Sequence, residues 1–150
     1  MKSLVYALIL ITLVVLLGWL IYQKVGIPKG IDGTYILVGN ARFKVTIADT
    51  PEEQAMGLSG VTSLSKNGGM YFVFDSPVRQ SFWNKGMLIP FDLVWISDKK
   101  VIGIERRIRP ESEGFQSVTP PSNVDGVLEI ADDQADNTGI SVGDEVKYLW

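Results

Sequence analysis

The sequence predicts a mainly β domain, a compact barrel or sandwich with one or two short helices, preceded by a single transmembrane helix. Short β-rich runs separated by Gly, Pro, Asn and Asp recur from Tyr35 to Trp150, the pattern of an all-β barrel or sandwich. Helix signals gather only around Pro51 and between Asp132 and Gly139. Ahead of all this, Leu4 to Tyr22 is an apolar run of 19 residues with no charge and no proline. As a helix it would be about 28 Å long, close to the roughly 30 Å hydrocarbon core of a bilayer. Lipid offers backbone groups no partners, so such a run is stable there as a helix that satisfies its own.

This divides the chain into an anchor over 1–24 (span 4–22), a linker over 25–33 and a β-rich domain over 34–150. The apolar run exits through Leu20-Ile21-Tyr22-Gln23-Lys24-Val25. No alternation of small residues appears there, so it reads as a retained anchor rather than a cleaved signal. Trp19 and Tyr22 suit the interfacial belt. Lys2 before the span and Lys24 and Lys29 after it leave the charge bias nearly balanced. A signal-anchor followed by one domain places that domain outside the cytoplasm; a reversed anchor is the rival.

Along the domain, Tyr35–Val38 is a short strand and Gly39-Asn40 a turn. Ala41–Ala48 alternates Phe43, Val45 and Ile47 against Arg42, Lys44 and Thr46, so the pair forms a hairpin. Thr50-Pro51-Glu52-Glu53 starts a helix, with Thr50 as N-cap, Pro51 in the first turn and Glu53 closing a capping box. Gly57 ends it in a left-handed conformation. Ser59–Gly69 is turn-rich, Met70–Phe74 a strand and Ser76-Pro77 a turn. Ser81-Phe82-Trp83 begins a strand that Ile89-Pro90 interrupts. Phe91–Ile96 and Val101–Ile108 form a hairpin across Ser97–Lys100. Arg109–Asn123 is a polar loop, Val127–Ile130 a strand, Asp132–Gly139 a helical turn and Val146–Trp150 the last strand.

Composition narrows the chemistry. The chain of 150 residues has no Cys and no His, which removes thiolate nucleophiles, Ser-His-Asp triads and imidazole or thiolate metal sites. Neither GxxxxGK[ST] nor GxGxxG occurs. All 17 acidic residues lie at or beyond Asp32; three of the 14 basic residues precede it, so the soluble part has 11 against 17, a net of −6. That balance disfavours nucleic acid. No cofactor is expected. Asp132, Asp133 and Asp136 lack the spacing of a calcium loop, so no metal is expected either.

Between Ala48 and Val146 the chain resembles the domain-of-unknown-function 192 family. The resemblance rests on Thr50-Pro51-Glu52-Glu53-Gln54-Ala55-Met56-Gly57-Leu58, on Gly69–Asp75, and on the block Ser81-Phe82-Trp83-Asn84-Lys85-Gly86-Met87 with Ile89–Ile96. It extends to Val127-Leu128-Glu129-Ile130 and Gly139–Val146. Ser59-Gly60-Val61 and Asn84 depart from the usual pattern, which would alter specificity if that region lines a ligand surface. The resemblance implies a compact, mainly β fold with small helices, and implies no reaction.

Trp83, Lys85 and Asp92 form the most suggestive cluster. A stacking face, a cation and a carboxylate together suit a sugar or a peptide terminus. The plainer reading puts Trp83 in the core and pairs Lys85 with Asp92 around Pro90. Asp92 lies among apolar neighbours and needs a partner if buried. Arg106, Arg107 and Arg109, with Lys99 and Lys100 nearby, form the only basic concentration. On a regular strand Arg107 and Arg109 share a face with Glu105, and Arg106 shares one with Ile104 and Ile108. The row is either a dock for an anion or a charged strand guarding a sheet edge. Arg79 and Glu105 complete the candidate binding residues; no catalytic residue is assigned. The function expected is a membrane-anchored, extracytoplasmic module that binds a small ligand or an envelope protein, its lipid partner being the bilayer around 4–22. The alternative is a carboxylate-based hydrolase acting on a cell-envelope substrate, with Asp92 or Glu105 as acid or base and Lys85 or Arg107 stabilising an anion.

Overall fold

The computed structural model describes residues 34–149. The expected anchor and linker lie outside them, as does Trp150. Among the described residues no helix is long and apolar enough to cross a membrane.

Among the described residues nine strands form: β1 (Tyr35–Val38), β2 (Ala41–Ala48), β3 (Gly68–Val78), β4 (Phe82–Trp83), β5 (Phe91–Ser97), β6 (Lys100–Ile108), β7 (Ser117–Val118), β8 (Val124–Ala131) and β9 (Val146–Leu149). Two short helices, α1 (Pro51–Met56) and α2 (Gln134–Asn137), accompany them. Seven strands make one curled sheet in the order β6-β5-β8-β3-β2-β1-β9, while β4 and β7 pair separately. The result is a half-barrel rather than a sandwich. Its two edges approach at one end, where Lys100 bridges to Glu145 and the Val146 amide donates to the Lys99 carbonyl at 2.8 Å.

Both faces of this sheet are buried, and that decides the site. Ile36, Phe43, Tyr71, Val94, Ile96, Leu128, Ile130 and Val146 fill the concave side. Leu58, Met70, Phe72, Met87, Leu93, Trp95 and Val127 form a second core on the convex side. Side chains alternate between faces with a period of two, so Leu93 and Trp95 face one core while Asp92, Val94 and Ile96 face the other. The convex core is roofed by α1, the segment after it, and the β4–β7 pair.

The roof follows from local sequence. Thr50 caps α1, with the Glu53 amide donating to its hydroxyl at 3.2 Å and the Glu53 carboxylate accepting from the Thr50 amide, as the capping box requires. Gly57 ends the helix at φ 51°, where a side chain would be strained. The parallel pairing of β2 with β3 makes α1 the crossover between them. Gln54 fastens it there, donating to the Val73 carbonyl at 2.8 Å.

Three expectations change. Ser76-Pro77 is not a turn but part of β3, which runs on through a register shift between Val73 and Val78; proline is tolerated at such an irregularity because no ladder bond is asked of it. The loop Arg109–Asn123 contains a 3-10 turn at Glu111–Glu113 and β7, whose pairing with β4 is long-range and so leaves no local pattern. The regular alternation expected through Arg106 and Arg107 fails at a bulge, where Phe91 and Leu93 pair with Ile108 and Glu105. Arg107 there has φ 55°, and both arginines face outward.

Candidate functional site

A cleft of about 280 Å³ opens on the convex face between α1 and the β4 segment. Gln54, Met56 and Leu58 form one wall; Phe82, Trp83, Lys85 and Met87 form the other; Phe72 and Glu129 line the floor. Its walls are tied together at one end, where the Gly60 amide donates to the Gly86 carbonyl at 2.9 Å. Gly86 has φ +73°, and a Cβ there would run into Ser59 Oγ. Only glycine allows that approach.

Trp83 is half exposed, at 50%, so it is not the core residue of the plainer reading. Its partner Phe82 turns inward, packing edge-on against Phe72 with ring centroids 5.0 Å apart and against Trp95 at 5.5 Å. The two-residue strand β4 thus sends one aromatic ring into the core and leaves the next at the cleft wall. Lys85 is exposed, and among the described residues it makes no ion pair or hydrogen bond. Trp83 and Lys85 therefore share a wall of the cleft.

Asp92 does not join them. It is fully buried and faces the concave core, on the opposite side of the sheet. Its carboxylate accepts from the Arg107 amide and the Ala135 amide, both at 2.9 Å. The Lys85–Asp92 pair of the plainer reading is replaced by these two backbone donors. Burial pushes the Asp92 carboxyl up, while the two amides pull it down. Its task is to hold the β6 bulge against the start of α2.

The other candidates lie outside the cleft and have partners within the protein. Glu105 accepts from the Trp95 indole at 3.3 Å. Arg79 donates to the Pro120 carbonyl at 3.3 Å. Arg106 pairs with Asp136 at 2.6 Å and Arg107 with Asp133 at 2.5 Å, which leaves these arginines compensated by acids beside the edge strand β6 rather than presented to an anion. Asn84, one of the departures from the family pattern, is fully buried. It donates to the Arg109 and Gly114 carbonyls at 2.9 and 2.8 Å and accepts from the Gln116 amide. It shapes the loop behind the cleft and does not line it.

The residue that sequence reasoning passed over is Glu129. It occupies the middle of β8, paired across to Met70 on one side and Leu93 on the other, and is 3% exposed. Its Oε2 has no hydrogen-bond partner among the described residues. Burial pushes its carboxyl up to about 8, with only the Leu58 backbone N–H acting in the other direction. A buried carboxyl without a counter-charge stays protonated near neutral pH. A glutamate among Val127, Leu128 and Ile130 was the available signal, an acidic group inside a strand apolar on both faces.

The model of the family DUF192, described as uncharacterized ACR, matches residues 35–148. The chain belongs to the DUF192 family. This DUF192 domain is similar to a crystallised protein of unknown function from Novosphingobium aromaticivorans DSM 12444, at 29% identity and TM-score 0.71, over 75% of this chain and 83% of that one. It is similar in fold to a protein from Sinorhizobium meliloti 1021 described as a candidate transcription regulator. There the identity is 22% and the TM-score 0.69, over 77% of this chain and 94% of that one. No curated protein matches.

Proposed function

We propose that this DUF192 chain is a membrane-anchored, extracytoplasmic binding module that takes a small ligand, or a projecting group of an envelope protein, into the cleft between α1 and β4. The observation that carries the reading is the cleft itself: an exposed Trp83 and an uncommitted Lys85 on its wall, above a buried carboxyl, Glu129, whose Oε2 lacks a partner. Apolar concave sites with a few convergent polar groups are the usual form of a small-molecule site. A protein gains no stability from leaving a buried carboxyl unsatisfied. A ligand that hydrogen-bonds Oε2 would relieve that cost.

The anchor is supported by the uncharged run Leu4–Tyr22. The full-length chain is expected in the membrane fraction, resistant to alkaline extraction, with a reporter fused after Trp150 active only outside the cytoplasm. Recovery in the aqueous fraction, or reporter activity in the cytoplasm, overturns that part. For the cleft, a panel of small amines, acids, sugars and dipeptides scored by thermal shift is expected to yield stabilising ligands whose effect is reduced by Trp83→Ala. A panel without a single stabilising ligand, or shifts indifferent to Trp83→Ala and Lys85→Ala, counts against it.

The hydrolase alternative has less support. Glycoside chemistry needs two carboxyl groups flanking the reacting bond, and Glu129 is the sole acidic residue lining the cleft among those described. Asp92 is sealed on the other face. The regulator description of the Sinorhizobium protein does not extend to this chain, whose domain is net acidic.

A further inference from the structure

We propose that Glu129 recognises a primary ammonium group carried on a small apolar or aromatic stem, held in the cleft as an ion pair. The inference rests on reading the cleft as a ligand site and names the chemistry that would fill it. An ammonium has three donors and no acceptor, the complement of a carboxylate that accepts only. The stem would lie against Leu58, Phe72, Phe82 and Met87. An acidic ligand would hold the carboxyl in its protonated form and a neutral one would leave the proton where it is; a cation is the ligand that draws Glu129 into its ionised, accept-only form.

The groups facing Glu129 are few. From α1 the polar side chain is Gln54, whose amide donates to the Val73 carbonyl. From β3 and β5 come Phe72 and Leu93, and from the segment after β4 the exposed Lys85, the one other charged residue lining the cleft among those described. No protein cation holds Glu129 ionised, so an incoming ammonium is the group that would do so. In the free protein near pH 7 the carboxyl keeps its proton. When R–NH3+ binds, the carboxyl O–H bond breaks, the proton passes to solvent, and an N–H···O pair forms in its place. Binding therefore strengthens about tenfold per pH unit up to a pH of about 8, levels off, and weakens when the amine itself titrates at about 10.

The test uses the full-length chain in detergent, with phenethylamine and its neutral counterpart 2-phenylethanol as probes. Calorimetry is run from pH 6 to 9 in buffers of different ionisation enthalpy. The amine is expected to bind at least tenfold more tightly than the alcohol at pH 8, to gain about tenfold between pH 6 and 7, and to release close to one proton at pH 7. Glu129→Gln should abolish the preference; if that variant does not fold, the pH profile and proton count of the unaltered protein decide. Equal binding of the two probes overturns the ammonium assignment while leaving the cleft a ligand site. Affinity that falls as pH rises also overturns it, because the carboxyl would then be acting as a neutral donor. If neither probe binds, the assignment fails, and the broader panel judges the cleft separately.

Discussion

At the scale of single residues, two buried carboxyls in adjacent strands have opposite fates. Asp92 accepts two backbone amides and is a structural brace; Glu129 has an unpartnered oxygen on the floor of a cleft. Replacing Asp92 by Ala would leave the Arg107 and Ala135 amides without acceptors, at a cost of roughly 2–4 kcal/mol in chemical denaturation. The binding proposed for the cleft on the far face should persist in whatever fraction folds. Glu129 behaves differently because its folded-state carboxyl is raised, from an ordinary 4.5 to about 8. A raised folded value means the native state holds its proton more tightly than the unfolded chain does. The associated stability is complete below about pH 4.5 and is lost as pH climbs through about 8. Melting temperature should therefore decline across that interval through this group, and Glu129→Gln should flatten the decline. An unchanged slope in the variant would show that Glu129 does not titrate there.

At the scale of elements, α1 is a six-residue helix too short to be stable by itself. It is held by its caps and by Gln54 on the β3 irregularity. Thr50→Ala removes the side-chain acceptor of the capping box and should cost about 1 kcal/mol. Because α1 is a wall of the cleft, the same change should also weaken ligand binding, read by calorimetry against an unaltered control. Gly86→Ala meets both a left-handed backbone and Ser59. It should destabilise the fold by about 1–3 kcal/mol in urea unfolding. Thr50, Pro51, Glu53 and Gly57 made α1 legible because capping is a matter of residues three or four apart. By contrast, β7 and the far end of β3 were not legible. Their strand character comes from pairing with Trp83 and with Val124, partners distant in sequence.

At the scale of the whole molecule, the sheet has seven strands and two buried faces. One face closes on itself as a half-barrel and the other is roofed by α1 and the β4–β7 pair. The roof, having fewer strands than the sheet beneath it, is where an opening can form. Deleting Leu4–Tyr22 should release the protein into the aqueous fraction after cell fractionation without altering the cleft's ligand response. A deleted form still pelleting with membranes would mean that another part of the chain provides attachment.

The sequence by itself determined the strand-rich composition, the hairpins, the capped helix, the family and the want of any imidazole or thiol chemistry, because each depends on residue type or short spacing. It also marked Trp83 and Lys85, two positions apart, as neighbours on one segment. Which carboxyl accompanies them was a tertiary decision. In strands apolar on both faces, alternation says that Asp92 and Leu93 point opposite ways, but not which face carries the cleft. Only the crossover of α1 onto the convex side, with the Gly60–Gly86 bond joining it to the β4 segment, opened a cavity over Glu129 and sealed Asp92 behind the sheet.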